Sequence, residues 1–257
     1  MKIINASTEI LTPITGDEIR RIEYAGRTCY KSGDKITDDS AKKFVENLIK
    51  NGDEEVLKHS SLSVKFICDL GISHELINLE LVRHHLTSFA QASTRYCNYN
   101  KDKFEKELTF IKPCFLESGT DPYLYWENAM SDVEMYYFAM LGEGCTPQEA
   151  RSVLPNSIKT EVVMTANYHE WRDFFWLKAA RKTGPAHPQM EELTVPLLRE
   201  VVNKIPVVFD DIYRSLLSQQ DEVQSHKNQS FNRKEVAMYG YFIKDILLET
   251  TYDFNKD

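Results

Sequence analysis

The sequence predicts a mixed α+β fold in which a small sheet is flanked by helices. Residues 61–68 alternate apolar and polar side chains, which is the pattern of a half-buried strand. Further strand-like segments at 108–111 and 158–165 are separated by stretches with apolar residues at helical spacing and with N-cap signals. We see no internal repeat and no low-complexity linker, so we expect residues 1–257 to form one domain.

The N-terminal part begins with one or two short strands within residues 1–14, where β-branched residues are enriched. The segment Thr15–Glu18 is a capping-box pattern that opens a helix. The residues of its expected buried stripe are Ile19, Ile22, Ala25 and Cys29. A second helix is predicted to start near residues 38–40 and to stop at Gly52, a residue that favours helix C-termini.

The central part resumes a helical pattern at Ser73 that runs towards residue 83, and the strand at 108–111 ends at Pro113. Asp121 and Pro122 are interpreted as N-cap and first helical position of a helix that ends at Gly142. Its predicted buried stripe consists of Tyr125, Trp126, Ala129, Val133, Tyr136 and Met140.

The C-terminal part opens with a short helix at Thr146–Glu149, which leads to Arg151 and then to the strand at 158–165. Asn167 is expected to cap an aromatic helix, and His187 to open another helix with a proline inside it. The residues expected to face inward from the aromatic helix are Trp171, Phe174, Phe175 and Ala179. Residues 218–257 are predicted as a polar loop to about residue 233, followed by a terminal helix.

Composition limits the classes of function. The formal net charge is −8, whereas general nucleic-acid binders carry a basic surplus. Five widely spaced cysteines without a Cys-x-x-Cys pair favour reduced thiols over a disulfide framework or a metal site. No apolar run has the length of a signal peptide or a membrane span. We therefore expect a cytoplasmic protein that binds small molecules, without a membrane or nucleic-acid partner.

Residues 83–96 form a distinctive polar segment with two arginines, two adjacent histidines, four serine or threonine hydroxyls and one amide, and with no carboxylate. Neither Gly nor Pro interrupts it, so a helix is allowed. On a helix, His84, Ser88, Gln91 and Arg95 would form one stripe of donors. A solvated helix face remains the simplest alternative, but such faces usually mix both charge signs. The composition favours an anion site, most simply for phosphate.

This segment resembles the signature of the flavin-dependent thymidylate synthases. That signature has Arg-His-Arg, seven residues, Ser, and then Arg-Tyr; here it reads Arg83-His84-His85, seven residues, Ser93, and then Arg95-Tyr96, with His85 in place of an arginine. Residues 150–155 are similar to the family's Ala-Arg-x-x-Leu-Pro element. Residues 165–167 and 186–189 are also similar to family elements and occur in the same order.

The resemblance implies a mixed α/β fold, a homotetramer and active sites between subunits. It also implies the reductive methylation of dUMP at C5, with the carbon from methylenetetrahydrofolate and the reducing equivalents from NADPH through FAD. No cysteine or serine attacks the pyrimidine in that scheme. Ser93 would be a binding donor, which fits an unactivated hydroxyl.

Position by position, the resemblance assigns the dUMP site to residues of three separated segments. They are Glu80, Arg83, Gln91, Ala92, Ser93, Thr94, Arg95, Arg151 and Arg181. Arg181 is the expected catalytic residue, because a guanidinium facing the uracil stabilises negative charge on the ring. Lys178 lies closer to the Phe174-Phe175 pair and remains an alternative for that position. Without the resemblance, Arg151 and Arg181 would be interpreted as surface ion pairs.

The implied FAD site departs further from the family. Its residues are Glu55, Arg83, His84, His85, Gln91, Asn167, His169 and Asp173. Glu55 replaces a small hydroxyl residue, and Asp53 replaces a histidine. A pyrophosphate beside these carboxylates would meet like-charge repulsion unless they point away.

Three hypotheses therefore stand beside one another. The protein is an active flavin-dependent thymidylate synthase, a diverged relative that modifies a pyrimidine nucleotide at C5, or a nucleotide-binding homologue with lost or weakened FAD use. No metal site is expected.

Overall fold

The structure is a computed structural model that describes residues 1–82, 87–95, 99 and 107–227, with side chains described outside 79–82 and 220–227. The architecture is mixed α/β, with small sheets flanked by helices. The strands are β1 Lys2–Ile4, β2 Ser7–Ile10, β3 Ser61–Asp69, β4 Ser88–Gln91, β5 Thr109–Ile111 and β6 Lys159–Asn167. The helices are α1 Asp17–Cys29, α2 Ser40–Asn51, α3 Leu70–Val82, α4 Asp121–Gly142, α5 Pro147–Ala150, α6 Tyr168–Lys178, α7 Pro188–Lys204 and α8 Pro206–Lys227. Short 3₁₀ helices span Gly33–Lys35, Glu54–His59 and Arg151–Val153.

The central sheet has the order β2-β3-β6-β4, and all of its neighbouring strands are antiparallel. The two long strands pair along their whole length, from Ser61 opposite Asn167 to Asp69 opposite Lys159. Alternate residues of both strands are buried, as the period of two requires. The strand predictions for 61–68, 108–111 and 158–165 are confirmed, with ends shifted by one or two residues.

The main core lies between the covered face of this sheet and helices α1, α2, α3, α6, α7 and α8. The aromatic helix α6 supplies Trp171, Phe174 and Phe175 to it, as predicted. The Trp171 indole donates to the Leu62 carbonyl at 2.9 Å, which fixes α6 against β3. Asn167 caps α6, because its side chain accepts from the Glu170 amide at 2.9 Å.

A second apolar cluster lies beside the first and positions the short helix α5. Strands β1 and β5 form a parallel pair, and α4 packs on it through Met130 and Tyr137. Ala150, at the end of α5, is fully buried in this cluster. The helix start predicted at Thr146–Glu149 is confirmed, and Thr146 and Glu149 form a capping box there. The Arg151–Val153 turn follows directly, so its position depends on this cluster.

The helical interpretation of the polar segment is wrong for residues 88–91, which form strand β4 on the edge of the sheet beside β6. The segment lacks Gly and Pro, but pairing with β6 satisfies its backbone and overrides its helix propensity. Residues 83–86 of this segment lie outside the described part of the chain.

The predicted buried stripe of α4 is also wrong in part. Tyr125, Ala129 and Tyr136 are exposed, whereas Met130 and Tyr137 are buried. Two apolar stripes run side by side along this helix, and the pattern alone does not select between them. Contact with the β1–β5 pair selects the stripe that contains Tyr137. The N-cap of α4 is Thr120, one residue before the predicted Asp121.

Two further predictions need correction. Ile22 of the predicted buried stripe of α1 is buried as expected, but Cys29 is exposed and Gly26 is buried in addition. The loop predicted from residue 218 is helical as far as Lys227, because α8 continues through good helix formers without Gly or Pro. The predicted terminal helix at 233–250 lies outside the described residues. Within the described chain, no helix is both long enough and apolar enough to cross a bilayer.

Candidate active site

The segment after β4 lies at one end of the central sheet. Gln91 is opposite Val162 in β6 and faces the covered side of the sheet, where its amide donates to the Ser73 hydroxyl at 2.8 Å. Ser73 in turn donates to the Leu70 carbonyl at 2.8 Å. Gln91 is therefore held against the first turn of α3, the helix that leads to Arg83.

Residues 92–95 leave the sheet and reach α5. The Ala92 amide donates to the Glu161 carbonyl at 2.9 Å, and the Ser93 hydroxyl accepts from the Arg95 amide at 3.2 Å. The Arg95 guanidinium donates through Nε to Oε1 of Gln148, a residue of α5, at 2.7 Å. Two segments that are more than fifty residues apart in the chain thus meet at this hydrogen bond.

Arg151 follows α5 directly and is exposed at the start of its 3₁₀ helix. The structure therefore brings Arg95, Ser93 and the helix that carries Arg151 together at one end of the sheet. Thr94 lies in the turn between Ser93 and Arg95. The side chain of Glu80 and residues Arg83, His84 and His85 lie outside what the structure describes.

Arg181 is held by the first turn of α7. Its Nε and Nη2 donate to the two carboxylate oxygens of Glu191 at 2.7 Å and 2.6 Å, a bidentate pair. Its backbone is left-handed, with φ 55°, in the tight turn whose Gly184 amide donates to the Arg181 carbonyl at 2.9 Å. The alternative residue, Lys178, forms an ion pair with Glu75 of α3. The two candidate cations thus have different partners.

Asp69 attaches the start of α7 to the same end of the sheet. Its Oδ1 accepts from the Ile72 amide at 2.7 Å, and its Oδ2 accepts from the Gln189 side chain at 2.5 Å. Gln189 and Glu191 belong to the same first turn of α7. The turn that carries Arg181 therefore belongs to the end of the sheet at which Gln91 and Arg95 lie.

A second carboxyl, Glu192, lies close to Asp69 in this region. Burial raises the pKa of Glu192 to about 7, the Cys114 hydrogen bond and Lys112 oppose this rise, and the negative charge of Asp69 adds to it. Its Oε2 atom is buried without a hydrogen-bond partner. Burial also raises the pKa of Asp69, which the Ile72 and Gln189 hydrogen bonds partly offset. Burial at this end of the sheet therefore favours the neutral form of Glu192.

Apart from Gln91, the described residues of the predicted FAD set form a cluster at the opposite end of β6. His169 has Glu55, Glu170 and Asp173 within 4.0 Å, 3.9 Å and 3.8 Å of its ring nitrogens. Lys58 bonds to the Glu55 carboxylate at 2.6 Å, and its hydrogen bond lowers the pKa of Glu55. We call Glu55, Lys58, His169 and Asp173 the Lys58–His169 cluster. A strand of this length separates the two ends by roughly 25 Å.

Several residues in these clusters were absent from the predicted sites. Gln148 and Asp69 have no sequence signal, because their partners come from distant segments. Gln189 belongs to the 186–189 element, which is similar to a family element but to which the resemblance assigns no binding role. Lys58 is three residues after Glu55, a spacing that pairs side chains on one turn of a helix and could have indicated the contact.

Comparison with known proteins agrees with this architecture. Residues 11–207 match the family described as thymidylate synthase complementing protein. A flavin-dependent thymidylate synthase from Corynebacterium aurimucosum is 30% identical over 215 residues, which cover 79% of this chain and 84% of that protein. Another, from Pyrococcus abyssi, is 26% identical over 203 residues, covering 79% of this chain and 78% of that protein.

Solved structures share the fold. A crystal structure described as a UMP/dUMP methylase from Streptomyces cacaoi, bound with 5-bromo-dUMP, superposes with a TM-score of 0.63 at 17% sequence identity. The match covers 82% of this chain and 96% of that chain. With most of its length matched by the family and by curated relatives, this chain belongs to the thymidylate synthase complementing protein family.

Proposed function

We propose that the protein converts dUMP to dTMP by reductive methylation, with methylenetetrahydrofolate as carbon donor, and FAD and NADPH as redox partners. Membership of the family and the names of the curated relatives support this reaction. The observation that carries it is the Arg95–Gln148 hydrogen bond, which joins the signature segment to the helix before Arg151. Cationic side chains from distant segments thereby lie at one end of the sheet, as an anionic nucleotide requires.

At this substrate end, Arg95 and Arg151 bind the phosphate of dUMP, and Gln91 and Ser93 supply hydrogen bonds to its sugar and base. Arg181 faces the uracil and stabilises the negative charge that develops on the ring as C5 becomes nucleophilic. Glu191 holds this guanidinium in one orientation before the substrate arrives. Glu80, Ala92, Thr94 and Arg83 complete the proposed substrate set.

The flavin end fits an anionic cofactor if its exposed carboxylates turn away into solvent. Lys58 supplies an ammonium group and His169 a ring, and the Nδ1 atom of His169 is buried without a hydrogen-bond partner. The carboxylates of Glu55, Asp173 and Glu170 oppose binding, but the Glu55 and Asp173 side chains are 77% and 51% exposed and can turn into solvent. Asn167, Asp173, Gln91 and the segment 83–85 complete the proposed FAD set. Bound FAD would supply the redox chemistry, while these residues bind and orient it.

We further propose a homotetramer with active sites between subunits. The substrate and flavin ends lie far apart in one protomer, so a neighbouring copy is needed to bring a flavin end beside a substrate end. Helix α4 also exposes Leu124, Tyr125, Met135 and Tyr136, an apolar surface typical of protein contacts. Because widely spaced cysteines fit reducing conditions, we place the enzyme in the cytoplasm.

The FAD content of purified protein and the release of tritium from [5-³H]dUMP test the function together. We expect FAD to be released on denaturation, and tritium release that requires methylenetetrahydrofolate and NADPH. Protein that binds no FAD at saturating concentration would exclude the proposal. FAD and dUMP binding without tritium release would instead indicate a non-catalytic nucleotide-binding homologue.

A second candidate function is C5 modification of another pyrimidine nucleotide. It is favoured by the described activity of the structural neighbour, which names both UMP and dUMP. Parallel assays with dUMP, UMP and dCMP separate the two candidates. Turnover of dUMP alone supports the thymidylate synthase, and faster turnover of UMP or dCMP supports the second candidate.

Shared active sites can be tested by complementation between subunits. Arg181→Ala alters the substrate end, and His169→Ala alters the flavin end. Each variant alone should be inactive or weakly active. Co-expression of both should restore activity if each site takes one end from each of two subunits. No restoration, together with a monomer in light scattering, would contradict the shared site.

A further inference from the structure

A solvent-open groove lies along the outer side of α1, next to the end of the Glu54–His59 3₁₀ helix. Its volume is about 500 Å³. The residues that line it are Asp17, Arg20, Arg21, Tyr24, Ala25 and His59. None of them belongs to the proposed dUMP or FAD sets, so the proposed reaction assigns no role to this groove.

The lining of the groove is cationic, although the protein has a net charge of −8. Asp17 is its single acid and lies 3.8 Å from Arg20, with both side chains mostly exposed, so this pair is weak. For Arg21, no ion pair is found within the described residues. Two arginines and a histidine therefore line the groove together with one carboxylate, which is weakly paired.

An aromatic ring lies beside these two arginines. The Tyr24 side chain is 69% exposed although it is large and partly apolar, and it shares the groove with the small side chain of Ala25. Exposed tyrosine rings provide a face on which a planar base can stack. The combination of two arginines with an aromatic face matches a ligand that has both a phosphate and a nucleobase.

The groove borders the flavin end of the protein. His59 directly follows Lys58 of the Lys58–His169 cluster. Arg21 is an electrostatic neighbour of Tyr168, the residue before His169. The Tyr168 hydroxyl is buried and has no hydrogen-bond partner. A ligand in the groove would thus lie next to the place where we propose that FAD binds.

We propose that this groove binds the 2′-phosphoadenosine part of NADPH. This inference rests on the proposed function, which requires a nicotinamide dinucleotide to reach the flavin. Arg20 and Arg21 bind the 2′-phosphate, a dianion that suits paired guanidinium groups, and the adenine stacks on Tyr24. Arginine beside the adenosine ribose is a general means of selecting NADPH over NADH. The glutamate tail of a folate is also anionic, but it offers no base for Tyr24.

Calorimetric titration with 2′,5′-ADP tests the groove without any need for turnover. We expect the purified wild-type protein to bind 2′,5′-ADP and to bind 5′-AMP much more weakly, because 5′-AMP lacks the 2′-phosphate. Arg21→Ala should weaken 2′,5′-ADP binding by about tenfold to a hundredfold, the effect of losing charge-assisted hydrogen bonds. Arg20→Ala with Arg21→Ala should weaken it further, and Arg21→Lys less.

Arg214→Ala is the matched control, since Arg214 is an exposed arginine on α8 that pairs with Asp210. It should bind 2′,5′-ADP as the wild type does. Thermal melts of all variants check that these exposed substitutions leave the fold intact. Equal binding by Arg21→Ala and wild type, no binding by the wild type, or displacement of bound 2′,5′-ADP by folyl-tetraglutamate would each overturn the proposal.

Anaerobic flavin reduction provides a second readout. The ratio of the NADPH and NADH rate constants should fall about tenfold or more in the double variant, because the NADH rate does not involve a 2′-phosphate. A parallel loss with both reductants would contradict the assignment. Failure of this inference and failure of the proposed function give different results. If the protein releases no tritium but binds 2′,5′-ADP in a manner that depends on Arg21, the proposed function fails and the groove assignment stands. If tritium is released and the arginine variants bind 2′,5′-ADP as the wild type does, only the groove assignment fails.

Discussion

Arg181 and Glu191 form a bidentate pair in which Nε and Nη2 donate to Oε1 and Oε2 at 2.7 Å and 2.6 Å. The Glu191 side chain is only 4% exposed and the Arg181 side chain 19%. The same carboxylate accepts from the Ala186 amide at 3.3 Å, so Glu191 joins both ends of the turn between α6 and α7. The turn and the guanidinium are therefore fixed by one buried acid.

Arg181→Ala should reduce turnover of dUMP by about a hundredfold or more, the effect of losing a donor that stabilises transition-state charge. The affinity for dUMP should fall much less, because the phosphate contacts remain. Tritium-release kinetics and calorimetric dUMP binding separate the two effects. Lys178→Ala is the matched comparison, and it should retain turnover within a few-fold.

The same Arg181 substitution leaves Glu191 buried without its partner, which costs stability of order 3 kcal/mol. Glu191→Gln keeps an oxygen acceptor for Arg181 and should be milder in both stability and turnover. Urea unfolding measures the stability difference. Normal turnover in Arg181→Ala would remove Arg181 from the mechanism and direct attention to Lys178.

Gln148→Ala should weaken dUMP binding by less than tenfold, because Gln148 orients Arg95 and does not itself contact the nucleotide. Arg95→Ala should weaken binding by about tenfold to a hundredfold, through loss of charge-assisted hydrogen bonds to phosphate. Calorimetry with dUMP measures both. An unchanged affinity in Arg95→Ala would contradict the convergence of these segments on a phosphate.

Glu55→Ser should raise the affinity for FAD by about threefold to tenfold, because it removes a carboxylate and frees Lys58 for the cofactor. Lys58→Ala should lower the affinity. Quenching of flavin fluorescence on titration gives both dissociation constants. If Glu55→Ser and Lys58→Ala shift affinity in the same direction, the Lys58–His169 cluster does not contact the pyrophosphate.

Protein stability should depend on Glu192 between pH 4.5 and 7. The pKa of this carboxyl is about 7 in the folded protein against an ordinary 4.5, because burial disfavours its charged form. Between these values the unfolded chain has lost the proton that the folded protein retains. Stability is therefore full below about pH 4.5, falls as pH rises to about 7 and then levels off.

Glu192→Gln should remove this dependence and raise stability at pH 8 by up to about 3 kcal/mol, which corresponds to the size of the pKa change. Urea unfolding at several pH values measures it. The wild type and Glu192→Gln should be equally stable near pH 4.5. A constant difference between them at all pH values would show that Glu192 stays ionised in the folded protein.

The strands and most helix starts could be predicted from local pattern. Strand β3 alternates so regularly that its buried face follows from the residue types alone. Asn167 and the Thr146–Glu149 box identify their helices because a capping side chain acts within one turn. These features depend on neighbours in the chain, which the sequence displays directly.

Residues 88–91 and α4 show where local pattern fails. Ser88–Gln91 has no period that requires a strand, and the free edge of β6 decides its conformation. On α4, two apolar stripes were available, and the β1–β5 pair covers the one with Tyr137. In both cases contact with a distant segment decides the conformation or the buried face, so no short window of the sequence predicts it.

The sequence by itself determined the α+β class, the order of most elements and the basic segments from which we propose a nucleotide site. Only the tertiary structure decided that Arg95 meets Gln148, that Arg181 is bound by Glu191 and Lys178 by Glu75, and that Arg95 and the Lys58–His169 cluster lie at opposite ends of one strand. The physical reason is the distance along the chain over which each interaction acts. Periodicity and capping act over a few residues, whereas these contacts join side chains that come together only when the sheet and its helices have packed.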